Sequence, residues 1–332
     1  MQKVYAMRTD KRMLGAFVHA QSVKMYQEGR YATARHYESA ASALLEYFGA
    51  QDVPLQRLNA ATVEGFNAHL RAKGLRPNTL SFYNRNLRAL LNRARPGWGT
   101  ALFKTVFTGN DRTLKRTVSV GTVRALKTRT QLKAGIQLAK DIFLFSLYAC
   151  GISFVDLVYL KPENVQDGHL VYTRRKTGRQ ILVKLTPAMQ EILARYAPQS
   201  RGYLFPFLDD HLSPLQNYGR YCSALTLYNR RLKELGLSLT SYVARHTWAS
   251  VAYREVGSPV PVISAALGHS SERTTRIYLA GLDYRKVEAL QENVQKILAG
   301  KPEKKKSLPL GKRQTTRRKG NQNQGNIQTL KC

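Results

Sequence analysis

Apolar residues recur every three or four positions through the first part of the chain, which is the spacing of one face of a helix. The clearest case ends at Phe48, where Thr33 is placed to cap the helix and Gly49 to end it. Residues 12–95 are therefore expected to form a small helical domain. Its predicted helices cover residues 33–48, 62–72 and 80–94.

The helical pattern breaks after residue 95, and the basic stretch that follows has no clear period, so residues 96–116 are predicted to be a linker. A second domain is predicted over residues 117–298. It contains one β-hairpin, because residues 170–175 and 180–185 have strand composition around a turn that carries Lys176. Its other elements are helices, predicted at 120–132, 136–149, 187–196, 212–235, 241–256 and 283–298. The expected fold is therefore mainly α with a small β-hairpin or sheet, in two domains.

The net charge of the chain indicates which kind of molecule it binds. The chain has 53 Lys and Arg against 21 Asp and Glu, a net charge of +32. An excess of that size favours a polyanion, and nucleic acid is the leading expected partner. A membrane surface is disfavoured because the charges are not gathered in one basic amphipathic helix. Residues 299–332 are basic and have too few apolar residues to bury a core, so they are expected to be a disordered tail.

Other classes of protein find little support. The three cysteines are far apart and show no metal-ligand or redox spacing. The N-terminus lacks the apolar core of a signal peptide, and a cytoplasmic, nucleoid-associated protein is expected. No cofactor and no metal are expected, since Asp156, Glu163 and Asp167 are scattered and form no obvious carboxylate cluster.

Three short segments carry candidate chemistry: Arg245 within Ala244–Trp248, His269 after Leu267-Gly268, and Tyr278 nine residues later. A tyrosine phenolate can attack a phosphodiester and store its energy covalently. Guanidinium and imidazole donors can stabilise the charge of the transition state. Each residue taken alone is more often structural: a core or surface tyrosine, an ion-pair arginine, or a satisfied histidine beside a turn. Lys176 alone would be a solvated lysine or a phosphate contact.

Together these segments resemble the motif boxes of the tyrosine recombinase (phage integrase) family. The resembling segments are Arg245-His246-Thr247-Trp248, Leu267-Gly268-His269-Ser270-Ser271 and Arg276-Ile277-Tyr278. Residues 12–95 resemble that family's SAM-like core-binding domain, and 117–298 its catalytic domain. The resemblance implies that Tyr278 is the nucleophile, Arg245 the second active-site arginine, His269 the conserved histidine and Lys176 the general acid.

The resemblance also implies an architecture and a reaction. Two domains would close around duplex DNA as a clamp, and cleavage would give a 3′-phosphotyrosine. Strand exchange would proceed through a Holliday junction in a homotetramer on DNA, with a monomer or weak oligomer when free. The helix at 283–298 would pack into a neighbouring protomer. Accessory DNA-bending proteins are possible partners.

Two positions depart from the family pattern. Ser153 stands where the first arginine is usual, and Tyr242 stands where a histidine is usual. The sequences around both resemble a subgroup found on conjugative and mobilisable transposons and at invertible DNA elements, in which these residues look like the local norm. Lys140 and Arg179 are candidates for the missing charge, and the sequence does not choose between them.

Two other functions stay open at this point. One is a catalytically inactive DNA-binding regulator on a recombinase fold, which the missing arginine suggests. The other is a type IB topoisomerase, which shares the chemistry but lacks site preference. For a recombinase, the target sequence and the choice between integrase, invertase and resolvase are also left open.

Overall fold

Helices dominate the N-terminal part of the molecule. In the computed structural model, residues 12–111 and 117–279 are described, together with 291–292 and 294–295. The first described range holds five α-helices and a single 3₁₀ turn at Leu55–Arg57. The helices are α1 (Leu14–Gln27), α2 (Tyr31–Phe48), α3 (Ala60–Ala72), α4 (Pro77–Ala94) and α5 (Trp98–Leu102).

The predicted ends of α2 are half right. The helix begins at Tyr31, two residues before Thr33, and its N-cap is Arg30 with no side-chain cap, so the cap predicted at Thr33 is wrong. Gly49 does end the helix, in the left-handed conformation (φ 61°) that glycine adopts without strain. The apolar positions of α1 to α4 are buried together in one cluster around Phe66, Leu87 and Leu90.

The segment predicted as a linker is partly ordered against this cluster. Residues 98–102 form α5, and both Phe103 and Val106 are buried in the N-terminal core. Backbone carbonyls just beyond are held by α4, since Asn84 Nδ2 donates to the Phe107 carbonyl at 2.9 Å. These apolar side chains pack individually and not along one helix face, so no helical period marks them in the sequence. The domain bounds themselves stay a prediction.

The second described range is a larger helical body with a small sheet. Its longest apolar helix, α7, is buried along most of its length and contributes Ile142, Phe143 and Phe145 to the core. The helices are α6 (Val120–Thr128), α7 (Ala134–Tyr148), α8 (Phe154–Val158), α9 (Pro187–Tyr196), α10 (Pro214–Glu234), α11 (Ser241–Arg254), α12 (Val260–Ala266) and α13 (Glu272–Leu279).

The sheet has three antiparallel strands in the order β1-β2-β3. They are β1 (Val165–Gln166), β2 (His169–Thr173) and β3 (Gln180–Lys184). Leu170 of β2 pairs with Val183 of β3 in the predicted hairpin, whereas the two-residue strand β1 was not predicted. The described chain is thus mainly helical with a small antiparallel sheet, which confirms the predicted fold class.

Residues 281–332 form a separate unit, of which only residues 291–292 and 294–295 are described, in helical conformation. The rest of the helix predicted at 283–298 and the whole predicted tail lie outside the described residues. In the part of the chain that the structure describes, no helix has the length and apolar character needed to cross a membrane.

Candidate active site

The candidate site is organised around the turn that follows α12. Gly268 has a φ of 60°, in the left-handed region that disfavours side chains. A Cβ atom on Gly268 would lie 2.6 Å from Ile181 Cδ1 and 3.1 Å from Arg174 Cδ. Glycine therefore lets the turn approach β3 closely. The carbonyl groups of Leu267 and Gly268 both accept hydrogen bonds from buried arginine side chains.

Arg245 of α11 is buried beneath this turn, with only 2% of its surface exposed. One terminal nitrogen donates to the Gly151 carbonyl at 2.8 Å. The other donates to the Leu267 carbonyl and lies 3.2 Å from Nε2 of His269. Gly151, at φ 71°, is again required, because a Cβ there would lie 2.9 Å from Arg245 Cα. The side chain is therefore held rigidly, unlike the surface arginine that its sequence position alone suggests.

His269 is buried and uncharged. Arg245 can only donate hydrogen bonds, so Nε2 of His269 accepts and Nδ1 carries the proton, which it donates to Thr275 Oγ1 at 2.8 Å. Burial lowers the pKa of His269 to about 3, helped by the positive charges of Arg245, Arg174 and Lys176. His269 therefore contributes oriented hydrogen bonding, and not a positive charge, at neutral pH.

The turn that carries Lys176 docks on the same backbone. Thr177 Oγ1 donates to the Gly268 carbonyl at 2.9 Å, and Arg174 donates to that same oxygen at 2.7 Å. Lys176 itself is exposed at the tip, as predicted, and its charge acts on His269. Three predicted site residues, Arg245, His269 and Lys176, are thereby brought to one turn.

Tyr278 lies on α13, whose backbone is fixed to the same site through Thr275. Thr275 is fully buried and bonded to His269, and residue 278 is one helical turn further along α13. The Tyr278 side chain lies outside the described residues.

The two departures from the family pattern have different surroundings. Ser153 immediately precedes α8, and its hydroxyl donates to Asp156 Oδ2 at 2.6 Å. Tyr242 lies three residues before Arg245 on α11, is 52% exposed, and its ring lies 6.1 Å from that of His246. Neither residue supplies a cation.

Arg174 is the residue of this site that the sequence reasoning missed. It is buried and contacts both the Gly268 carbonyl and the Asp156 carboxylate, the latter at 4.0 Å. A signal was present, since strand alternation places residue 174 on the inward side with the buried Leu170 and Tyr172. An arginine at an inward position of a strand implies a specific partner.

Potential metal ligands lie elsewhere. Within the described ranges, one group of acidic and histidine side chains could hold an ion, at Asp209, Asp210 and His211. Asp209 is already paired with Arg201 at 2.9 Å. Asp156, one of the scattered acids noted in the sequence, instead accepts hydrogen bonds from Ser153 and from the Arg175 backbone.

Family comparisons agree with this site and fold. Residues 13–96 match the phage integrase SAM-like domain, and residues 123–285 match the phage integrase family. Fold and family matches together define a protein that cuts and rejoins DNA strands. The chain belongs to the tyrosine recombinase (phage integrase) family, whose characterised activity is site-specific recombination.

Individual relatives are distant. A putative tyrosine recombinase XerC of Pseudomonas aeruginosa is 21% identical over 321 residues, which covers 82% of this chain and 73% of that protein. The tyrosine recombinase XerD of Pseudomonas aeruginosa is 27% identical over 176 residues, which covers 50% of this chain and 57% of that protein. The chain therefore spans little more than half of that XerD.

Solved structures share the fold at low sequence identity. A lambda integrase dimer bound to a COC′ core site is 16% identical with a TM-score of 0.58, over 80% of this chain and 77% of the other. A lambda integrase tetramer bound to a Holliday junction gives the same TM-score of 0.58 at 15% identity, over 80% and 77% of the two chains.

Proposed function

We propose that this protein is a site-specific DNA recombinase that cuts and rejoins DNA through a 3′-phosphotyrosine on Tyr278. The observation that carries the proposal is the convergence of Arg245, His269 and the Lys176 turn on one backbone turn, with Thr275 tying α13 to His269. That arrangement supplies the donors a phosphoryl-transfer site needs beside the helix that carries a candidate nucleophile.

The reaction assigns one role to each residue. The phenol oxygen of Tyr278 loses its proton and attacks the phosphorus, while the bond from phosphorus to the 5′ oxygen breaks. Lys176 gives its proton to the departing 5′ oxygen, which leaves as a free hydroxyl. Arg245 stabilises the added charge on the non-bridging oxygens, and His269 orients the Arg245 guanidinium by accepting a hydrogen bond at Nε2. Attack by a 5′ hydroxyl of another strand then reverses these bond changes and rejoins the DNA.

Rigid placement is what the described residues add to this chemistry. Arg245 is held by the Gly151 and Leu267 carbonyls and lies 3.2 Å from Nε2 of His269, so its position is set before DNA binds. Preorganised donors lower the barrier because they need little rearrangement as charge develops. The depressed pKa of His269 keeps the imidazole neutral beside the guanidinium.

The assembly on DNA is part of the proposal. The net charge of +32 suits binding to duplex DNA, with phosphate contacts supplying most of the affinity. We infer a homotetramer that closes two domains around the DNA and exchanges strands through a Holliday junction. Support comes from the family and from the fold shared with lambda integrase. A cytoplasmic location, accessory DNA-bending proteins and membership of the mobile-element subgroup also remain proposals.

The inactive-regulator alternative rested on the missing first arginine. A decayed site would seldom keep every other member of the motif set, and Arg245, His269, Lys176 and Tyr278 are all present. The family comparison likewise favours the recombinase. A topoisomerase would be revealed by relaxation of plasmids that lack any target site.

Covalent capture of DNA tests the proposal. The substrate is a nicked suicide duplex carrying the sequence that the purified protein selects from a pool of randomised duplexes, in buffer with EDTA. The wild-type protein should form an adduct that resists boiling in detergent. Tyr278→Phe should form none, whereas the matched control Tyr253→Phe, on α11, should retain it. An adduct formed by Tyr278→Phe at the wild-type rate would refute the assignment.

A further inference from the structure

Because Ser153 replaces the family's first arginine, the proposed site lacks one positive charge. The Ser153 hydroxyl donates to Asp156 Oδ2 at 2.6 Å and carries no charge. Because Ser153 stands where the family pattern has its first arginine, Arg245 is the one guanidinium that this pattern assigns to the site. The inference below rests on the recombinase function proposed above.

Arg174 lies where that missing charge can act. The Asp156 carboxylate that holds Ser153 is also 4.0 Å from Nε of Arg174. One carboxylate, that of Asp156, therefore lies between Arg174 and Ser153, and Ser153 stands in the usual arginine position. Its backbone amide and carbonyl close the turn that presents Lys176, through hydrogen bonds with Arg179, Thr177 and Gly178.

Arg174 and Arg245 donate hydrogen bonds to the carbonyl groups of two consecutive residues. Arg174 donates to the Gly268 carbonyl at 2.7 Å, and Arg245 donates to the Leu267 carbonyl one residue earlier. Both charges act on His269, the next residue in the chain. Two buried guanidiniums thus flank one turn, and only one of them was assigned a role by the family pattern.

Arg174 has a buried N–H donor that is not used in the described structure. Among the residues that the structure describes, none accepts a hydrogen bond from its buried Nε. The Asp156 oxygen at 4.0 Å is beyond hydrogen-bond distance and is occupied by the Ser153 hydroxyl. A buried arginine with spare donors is expected to have an anionic partner that arrives from outside.

The other candidate cations are placed less well. Lys140 is buried and donates to the Arg129 carbonyl at 2.6 Å, between α6 and α7. Arg179 is exposed, and among the described residues its side chain donates to the Ser270 carbonyl at 3.5 Å. Neither contacts the carboxylate that holds Ser153 among the hydrogen bonds and ion pairs of the described chain.

We propose that Arg174 supplies the second guanidinium charge of this site, in place of the arginine expected at Ser153, and positions His269 through the Gly268 carbonyl. Arg174 thus has two roles: its charge stabilises the scissile phosphate in the transition state, and its hydrogen bond to the Gly268 carbonyl fixes the turn. The scissile phosphate is the anion that completes its surroundings.

Substitutions of Arg174 can separate the effect of its charge from the effect of its hydrogen bond on the shape of the turn. Adduct formation on the selected suicide duplex is timed for the wild type, Arg174→Lys and Arg174→Gln. The matched control is Arg175→Gln, which removes the same charge one residue away, where the guanidinium stacks 4.0 Å from the Tyr159 ring. Each protein is also tested on a duplex with a methylphosphonate at the scissile position, which lacks one negative charge. DNA binding and thermal melting report whether each variant is folded.

Arg174→Gln should cleave the ordinary duplex about 100-fold or more slowly than the wild type, the scale of losing one preorganised donor. Arg174→Lys should recover most of that rate, and Arg175→Gln should behave as the wild type. Arg174→Gln should also cleave the methylphosphonate faster than the ordinary duplex, since less charge then needs compensation. A normal rate for Arg174→Gln overturns the inference. So does a slow rate that neither lysine nor the methylphosphonate restores, because the role is then only structural. If the wild type forms no adduct, the recombinase function fails and this inference fails with it.

Discussion

Replacing Gly268 by alanine tests whether close packing at the turn holds the site together. The new Cβ would lie 2.6 Å from Ile181 Cδ1 and 3.1 Å from Arg174 Cδ, at a φ of 60°. Left-handed backbone costs a residue with a side chain about 1–2 kcal/mol. Overpacking costs about 1–3 kcal/mol more, since Ile181 is buried and its methyl group has little room to move. The expected loss in the free energy of unfolding is therefore about 2–5 kcal/mol.

Gly257→Ala is the matched control for this substitution. Gly257 has a similar φ of 73°, but a Cβ there meets nothing within 4 Å. It should therefore lose only the backbone cost of about 1–2 kcal/mol in urea unfolding. Gly268→Ala should also displace Arg174 and slow adduct formation strongly, whereas Gly257→Ala should not. Equal losses of stability and equal cleavage rates for the two variants would refute the role given to packing at Gly268.

Three further outcomes are expected. Arg245→Gln should lower the free energy of unfolding by about 2–4 kcal/mol in urea titrations, since it leaves two buried carbonyls without their charged donor. It should also abolish detectable adduct, and wild-type stability would contradict this expectation. The pKa of His269 falls from 6.5 to about 3 on folding, so the unfolded chain binds the extra proton and stability should fall as pH drops from about 6.5 towards 3. His269→Asn should show a shallower decline over that window, and an identical slope would exclude the effect. DNA affinity, measured by fluorescence anisotropy, should fall linearly on a log–log plot against salt, and a flat plot would exclude phosphate-dominated binding.

Helical periodicity was a good guide to this fold where each helix buries one face. The helices predicted at 187–196 and 80–94 appear as α9 and, with three more residues at its start, α4. The pattern failed where few residues carry it. Strand β1 has two residues and α5 has five, which is too short for either period to show. The Thr33 cap failed because α2 starts without a side-chain cap.

The candidate active site, like the fold, was predicted from the sequence only in part. Motif resemblance named Arg245, His269 and Lys176, and the structure brings all three to the turn at Gly268. Sequence could not show that Arg245 is buried, because burial there depends on Gly151, which is 94 residues away in the chain. Arg174 escaped notice for a related reason: its partner Gly268 is likewise 94 residues away. Long-range contacts of this kind leave no local pattern, apart from the inward strand position that Arg174 occupies.

The most direct test of the central claim is to locate the covalent bond between protein and DNA. The adduct from the suicide duplex is digested with nuclease and protease, and the modified peptide is sequenced by mass spectrometry. The recombinase account predicts one modified peptide, with a nucleotide 3′-phosphate on Tyr278 and a free 5′ hydroxyl on the released strand. Attachment to any other residue, or through a 5′ phosphate, would contradict it.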